Sequence, residues 1–132
     1  MTKKRTLGAA ALAAATLTVV LPAQAASAAT ITTRPITCAI RSANIWNGCA
    51  NDNAKVARGK RVYLALTASS GRRVQFRIKN HLTGRVISTP LLRFSPDGVR
   101  HVVWTNNTSN SVTIDVEART NGVTTVRARL SA

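Results

Sequence analysis

The sequence has few residues that could carry catalysis. Its 132 residues include four Asp and Glu side chains, two histidines and two cysteines, and aromatic residues make up 4% of the chain. So few carboxylates and imidazoles leave little material for acid–base or metal chemistry. The scarcity of aromatic rings disfavours the binding of single-stranded nucleic acid, whose bases stack on such rings. We therefore expect no enzymatic activity, no cofactor or metal, and no nucleic-acid partner.

Positive charge is what the chain has in excess. Lysine and arginine total 19, which gives a net charge of +15. Apolar residues make up 45% of the sequence, which is too many for a disordered polycation. The composition predicts a folded module, and the length allows one domain.

Residues 1–28 have the three-part pattern of a secretory signal peptide. The basic segment Lys3–Arg5 precedes an apolar run, and small residues then allow cleavage after Ala25 or after Ala28. The apolar run is shorter than the ~20 residues of a membrane span, which disfavours the alternative of an uncleaved anchor helix. We expect a secreted, extracellular product without a membrane span, and its net charge is +12 (16 − 4).

Two cysteines, Cys38 and Cys49, lie in the exported part. An even number of cysteines in an oxidising compartment predicts one disulfide bond. The alternative is a metal site, but two thiolates without a second ligand pair or a nearby histidine make a poor one. We therefore expect a disulfide-closed loop.

From Lys60 onward, alternating apolar and polar residues separated by turn signals are typical of β-strands. The predicted strands are Arg61–Ala68, Arg73–Lys79, Arg85–Leu92, Val99–Thr105 and two strands joined by a hairpin loop at Thr120–Gly122. If Gly122 is left-handed in that loop, the register places Val116 opposite Val126 and Asp115 opposite Arg127. The prediction for 60–132 is an all-β domain, a small antiparallel sandwich or barrel of about six strands.

The segment Ala29–Gly59 is predicted to precede this domain as an irregular, disulfide-closed N-terminal strap. No period of two or 3.6 residues persists across it, and Ala50–Arg58 is predicted as a short helix. Its loop carries Arg41, Ile45 and Trp46, which we predict to anchor a partner, because Trp and Arg are frequent interface hot spots. In the alternative interpretation, Trp46 folds back and covers one end of the sandwich.

Basic residues on turns and outward strand positions form a second predicted contact. We interpret them as a basic face that attracts acidic partners. Its predicted members are Arg72, Arg73, Arg77, Lys79, Arg127 and Arg129. The two carboxylates Asp115 and Glu117 share one strand face, where an ion pair explains them better than catalysis.

The layout of signal peptide, N-terminal strap and compact β domain resembles the small adaptor of actinobacterial umbrella toxin particles. The resemblance implies that such a protein joins a lectin-like subunit, a β-propeller with a trypsin-like domain, to the stalk of a large antibacterial toxin. It also implies that Ala29–Gly59 is the strap that enters a cleft of the lectin-like subunit.

Two other functions remain open from the residues alone. The Arg41–Ser42 bond lies inside the predicted disulfide loop and could act as a substrate-like bond in a trypsin-like protease, which would make the chain an inhibitor. The basic surface could instead bind anionic polymers of the cell envelope, in which case the affinity would fall steeply with salt.

Overall fold

Nine strands and no helix make up the described part of the chain. In the computed structural model this part covers residues 32–132, which form one compact unit. The predicted signal peptide and its two cleavage positions lie outside the described residues. The strands are β1 (Thr33–Ile40), β2 (Asn47–Ala50), β3 (Ala54–Val56), β4 (Arg61–Ala68), β5 (Val74–Asn80), β6 (Leu91–Arg93), β7 (His101–Thr105), β8 (Val112–Thr120) and β9 (Thr124–Ser131). The all-β prediction is confirmed, and the strand count exceeds the six expected.

The strands form an antiparallel, nearly closed, barrel-like sheet. They follow the order β6-β5-β8-β2-β1-β9-β4-β7, and β3 also pairs with β8. The short strand β2 links the two sides of the barrel because it pairs with β1 on one edge and with β8 on the other. We call the outer surface of β1, β9, β4 and β7 the β9 face, and the outer surface of β2, β8, β5 and β6 the β8 face.

Strand alternation places the apolar side chains inside the barrel. On β8, Ile114, Val116 and Ala118 are fully buried, and the charged residues between them face outward. Each large apolar side chain that is fully buried contributes about 1.5–3 kcal/mol to folding. The largest of these side chains are Phe76, Ile36, Ile40, Leu64, Leu66, Ile78, Ile114 and Leu130. They come from both sides of the barrel and form its core, so the outer surfaces of the strands remain for binding.

The predicted irregular strap is corrected by the structure, because Ala29–Gly59 supplies three strands to the same sheet. All eight residues of β1 pair with β9, from Thr33 opposite Ser131 to Ile40 opposite Thr124. The predicted disulfide is confirmed, since Cys38 and Cys49 are bonded and lie opposite each other on β1 and β2.

Two features concealed these strands in the sequence. Cys38 occupies a buried position between Ile36 and Ile40, so the apolar alternation of β1 passes through a cysteine. The sequence pattern predicted this cysteine only as one half of a disulfide bond. Pro35 lies just before this run, where β2 does not reach and where Asn51 Nδ2 donates to its carbonyl oxygen at 2.9 Å. A proline is tolerated at such an open edge.

The predicted helix Ala50–Arg58 is also wrong. Its middle forms β3, whose two buried residues, Ala54 and Val56, flank an exposed Lys55. Asn51 has a φ of 64°, which ends β2 with a turn and does not continue into a helix.

The predicted hairpin between the last two strands does not form. Strand β8 pairs with β5, β2 and β3, whereas β9 pairs with β1 and β4. The connection at Thr120–Gly122 therefore crosses from one side of the barrel to the other, and Gly122 is not among the glycines with positive φ. Alternation fits both arrangements, since the same residues face inward when two strands lie side by side and when they face each other across a core.

The remaining strand predictions differ mainly in extent. The bounds of β4 are as predicted, and β5 is shifted by one residue. Most of the predicted strand Arg85–Leu92 is a loop with one isolated bridge, between Lys79 and Val86, and only its last two residues belong to a strand, β6. Pro90 lies directly before β6 and lacks the N–H that a ladder would need.

Candidate functional site

Trp46 lies on the β8 face between two arginines of the sheet. The ring centroid is 4.3 Å from the guanidinium carbon of Arg77 and 4.7 Å from that of Arg119. The register explains this placement, since Asn47 lies opposite Ala118 and the preceding Trp46 therefore lies beside Arg119. Trp46 is half-buried, and its ring packs against these two guanidinium groups on the outer surface of the barrel.

The loop that carries Trp46 is held at several points. The Cys38–Cys49 bond closes its base, and the Asn44 N–H donates to the Thr120 carbonyl at 2.7 Å. Asn44 has a φ of 61°, which produces the tight turn after Ala43. The two other predicted anchors, Arg41 and Ile45, are exposed in this loop, and Ile45 exposes 56% of its surface. An ordered loop with exposed side chains loses little conformational entropy when it binds.

Next to Trp46, the β8 face contains a small basic cleft of about 140 Å³. Arg119 Nε donates to Gln75 Oε1 at 2.6 Å, which fixes the arginine beside the cleft. The lining residues carry guanidinium, amide, hydroxyl and apolar groups but no carboxylate: Asn44, Arg73, Gln75, Leu92, Arg119, Thr120 and Asn121. No local pattern of the sequence predicts the cleft, because Gln75 and Arg119 become neighbours only through the pairing of β5 with β8.

Other basic residues of the β8 face are neutralised within the protein. Glu117 accepts from Arg77 Nε at 2.7 Å and from Lys79 Nζ at 3.3 Å. Asp115 lies 3.0 Å from His81 Nδ1 and also accepts from the Asn53 amide. The predicted ion pair of Asp115 with Arg127 is therefore wrong, because β9 lies on the other side of the barrel.

The β9 face has a different character. Arg127 and Arg129 point outward from β9, and the residues opposite them on the neighbouring strands are small or lack a long side chain. These neighbours are Thr37, Pro35, Ala65 and Ala68. Within residues 32–132, neither arginine has a hydrogen-bonding or ion-pair partner, so both guanidinium groups are available to an external acidic group.

The six residues of the predicted basic face are thus divided between the two faces. Arg73, Arg77 and Lys79 belong to the β8 face, and Arg127 and Arg129 to the β9 face. The sixth, Arg72, reaches the turn between β8 and β9, where its Nη1 donates to Asn121 Oδ1 at 3.4 Å. Positive charge is therefore presented in two separate directions.

Two carboxyl groups have shifted pKa values, and both shifts have structural causes. Burial raises the pKa of Asp52, although the Val116 N–H donates to its Oδ2 at 2.7 Å and opposes the shift. The Val99 N–H, together with Arg93, lowers the pKa of Asp97. Neither carboxyl lines the basic cleft, and within residues 32–132 no three His, Cys, Asp or Glu side chains come together as a metal site.

Comparisons with protein-family models, with curated proteins and with solved structures found no match to the chain. The described part of the chain also has no helix with the length and hydropathy needed to cross a bilayer.

Proposed function

We propose that the chain is a secreted, non-catalytic adaptor that holds two protein partners through two different surfaces. The first surface is the exposed part of the β1–β2 loop with Arg41 and Ile45. The second is the β9 face with Arg127 and Arg129. Secretion is supported by the disulfide bond between Cys38 and Cys49, which persists in oxidising compartments.

The observation that carries this proposal is the difference in charge pairing between the two faces. On the β8 face, Arg77 and Lys79 both contact Glu117, so this carboxylate already neutralises part of their charge. On the β9 face, Arg127 and Arg129 have no acidic neighbour in the register of β1 or β4. Unpaired arginines opposite small residues suit an acidic protein partner, and Arg is enriched at such interfaces.

We further propose that the two partners belong to an extracellular antibacterial toxin assembly, with a lectin-like subunit at the loop and a large toxin subunit at the β9 face. This part rests on the resemblance of the layout. Because β1, β2 and β3 belong to the barrel, the β1–β2 loop is the part of the described segment that we propose acts as the strap.

The test is affinity purification of the tagged protein from the culture medium of the organism that encodes it, with mass spectrometry. Arg41→Ala combined with Ile45→Ser should lose one partner, and Arg127→Ala combined with Arg129→Ala should lose the other. Arg58→Ala with Arg85→Ala is the control, because it removes the same charge as the second pair from exposed positions elsewhere. Recovery of two proteins that respond to different variants supports the adaptor, whereas loss of a single partner in both variants contradicts it.

An inhibitor of trypsin-like proteases is the second candidate, because Arg41 is exposed in a loop closed by a disulfide. Nanomolar inhibition by the wild type that is lost in Arg41→Ala would replace the adaptor proposal. Binding to isolated cell-envelope polymers that needs Arg127 and Arg129 would instead assign the β9 face to polyanions.

A further inference from the structure

We propose that the basic cleft on the β8 face binds one compact oxyanion, a phosphate or a carboxylate group, carried at the end of a larger molecule. Arg73 and Arg119 supply the charge, and Asn44, Gln75 and Asn121 supply amides at the rim. No part of the adaptor function assigns this cleft, and the inference does not depend on the adaptor.

The side chains that line the basic cleft have the chemistry of an anion site. Both charged groups in the cleft are guanidiniums, which bind carboxylate and phosphate through paired N–H donors. The nearest carboxylate on the same strand is Glu117, which already accepts from Arg77 and Lys79. Nothing acidic in the cleft competes for Arg73 or Arg119.

Arg119 is also fixed in position before any ligand arrives. Its Nε donates to Gln75 Oε1 at 2.6 Å, and its guanidinium carbon lies 4.7 Å from the Trp46 ring. These contacts leave its two Nη groups without a partner among residues 32–132. A guanidinium held in this way gives up little rotational freedom when it binds an anion, so more of the contact energy appears as affinity.

The size of the cleft suits a small charged group. Its volume is about 140 Å³, and it opens to solvent on one side. One phosphate or carboxylate group fits into this space, and the molecule that carries the group would extend into solvent. Leu92, which is 38% exposed, forms one wall and offers an apolar contact to the group that carries the anion.

Trp46 provides the readout, because it touches Arg119. The experiment titrates Trp46 fluorescence in the full secreted protein carrying Trp104→Phe, which removes the second tryptophan. The probes are inorganic phosphate and acetate, and sodium chloride at equal ionic strength corrects for screening. We expect a saturable change with phosphate or acetate, with half-saturation on the order of 1 mM, because only two charge-assisted contacts hold the ion. Saturation by phosphate alone assigns the site to phosphoryl groups, and saturation by acetate alone assigns it to carboxylates.

Arg73→Gln tests the site itself, and Arg129→Gln on the β9 face is its charge-matched control. Arg73 is exposed directly before β5, so its loss leaves the core intact. We expect at least tenfold weaker binding in Arg73→Gln and unchanged binding in Arg129→Gln. Equal weakening in both variants, or the same response to phosphate, acetate and chloride, would overturn the proposal. Intact anion binding in a protein that recovers no partners would contradict the adaptor alone.

Discussion

Glu117 on β8 accepts a 2.7 Å hydrogen bond from Arg77 on β5, while the guanidinium of the same arginine lies over Trp46. One carboxylate thus orients the arginine that holds the tryptophan of the β1–β2 loop. The geometry of this loop depends on a charge pair of the barrel wall as well as on its own disulfide.

Replacement of Glu117 by Gln should release Arg77 and Lys79 from this arrangement. We expect a loss of about 1 kcal/mol in the free energy of unfolding, because the pair is partly buried and both cations lose their charged partner. Trp46 emission should change as well, since Arg77 is no longer held over the ring. Urea unfolding and fluorescence measure both effects.

Asp115→Asn is the matched control on the same strand. Its side chain is more exposed than that of Glu117, at 30% against 14%, so its loss should cost less and leave Trp46 emission unchanged. An equal change of emission in both variants would show that Arg77 does not depend on Glu117.

The disulfide should stabilise the protein through its effect on the unfolded chain. Replacement of Cys38 and Cys49 together by Ala should lower the free energy of unfolding by about 3 kcal/mol, the value expected for a short closed loop. The alanines also remove buried sulfur atoms, since both cysteines are in the core. Guanidinium chloride unfolding measures the loss. A reducing agent should weaken the wild type and leave the double variant unchanged, and a wild type insensitive to reduction would contradict the prediction.

Two glycines should respond differently to alanine. Gly71 has a φ of 75°, a left-handed conformation that disfavours any side chain, so Gly71→Ala should cost about 1 kcal/mol. Gly122 lacks that constraint, and the atoms nearest to a Cβ there would be those at the end of the flexible Arg72 side chain. Gly122→Ala should therefore change stability by less than about 0.5 kcal/mol while moving Arg72 away from Asn121. Thermal unfolding of both variants measures the difference, and a larger loss at Gly122 would contradict it.

The sequence predicts a strand correctly where the residues of that strand alternate between apolar and polar. In β4, Val62, Leu64 and Leu66 alternate without interruption, and both bounds were predicted. In β1 the same alternation passes through Cys38 and follows Pro35, so it was missed. The sequence does not show which strands pair with each other, because the alternation of β8 and β9 is the same in a hairpin and in a connection that crosses the barrel.

The positions of side chains in the candidate site also depend on strand pairing, which the sequence does not show. Arg41 and Ile45 are exposed between β1 and β2, and their role as anchors of a partner stays a prediction. The position of Trp46 and the basic cleft depend on Gln75 and Arg119 being neighbours across β5 and β8. That pairing joins residues 44 positions apart in the sequence, and no local pattern encodes it.

Stability should depend on pH through Asp52. Burial raises its pKa above the usual 3.8, so the folded protein binds this proton more tightly than the unfolded chain. The stabilising effect of the proton is complete below the usual pKa and is lost as the pH rises through the raised folded-state value. Asp52→Asn keeps an oxygen for the Val116 N–H and removes the buried charge, so it should be more stable than the wild type near neutral pH.

Asp97→Asn is the control for this prediction because its pKa shifts the other way. The Val99 N–H and Arg93 lower the pKa of Asp97, so its stabilising effect is present above 3.8 and is lost as the pH falls through its lowered value. Urea unfolding from about pH 3 to about pH 7 compares the wild type with both variants. The advantage of Asp52→Asn should grow as the pH rises, whereas the deficit of Asp97→Asn should shrink as the pH falls. An Asp52→Asn variant that loses stability relative to the wild type as the pH rises would show that the Val116 hydrogen bond outweighs the cost of burial.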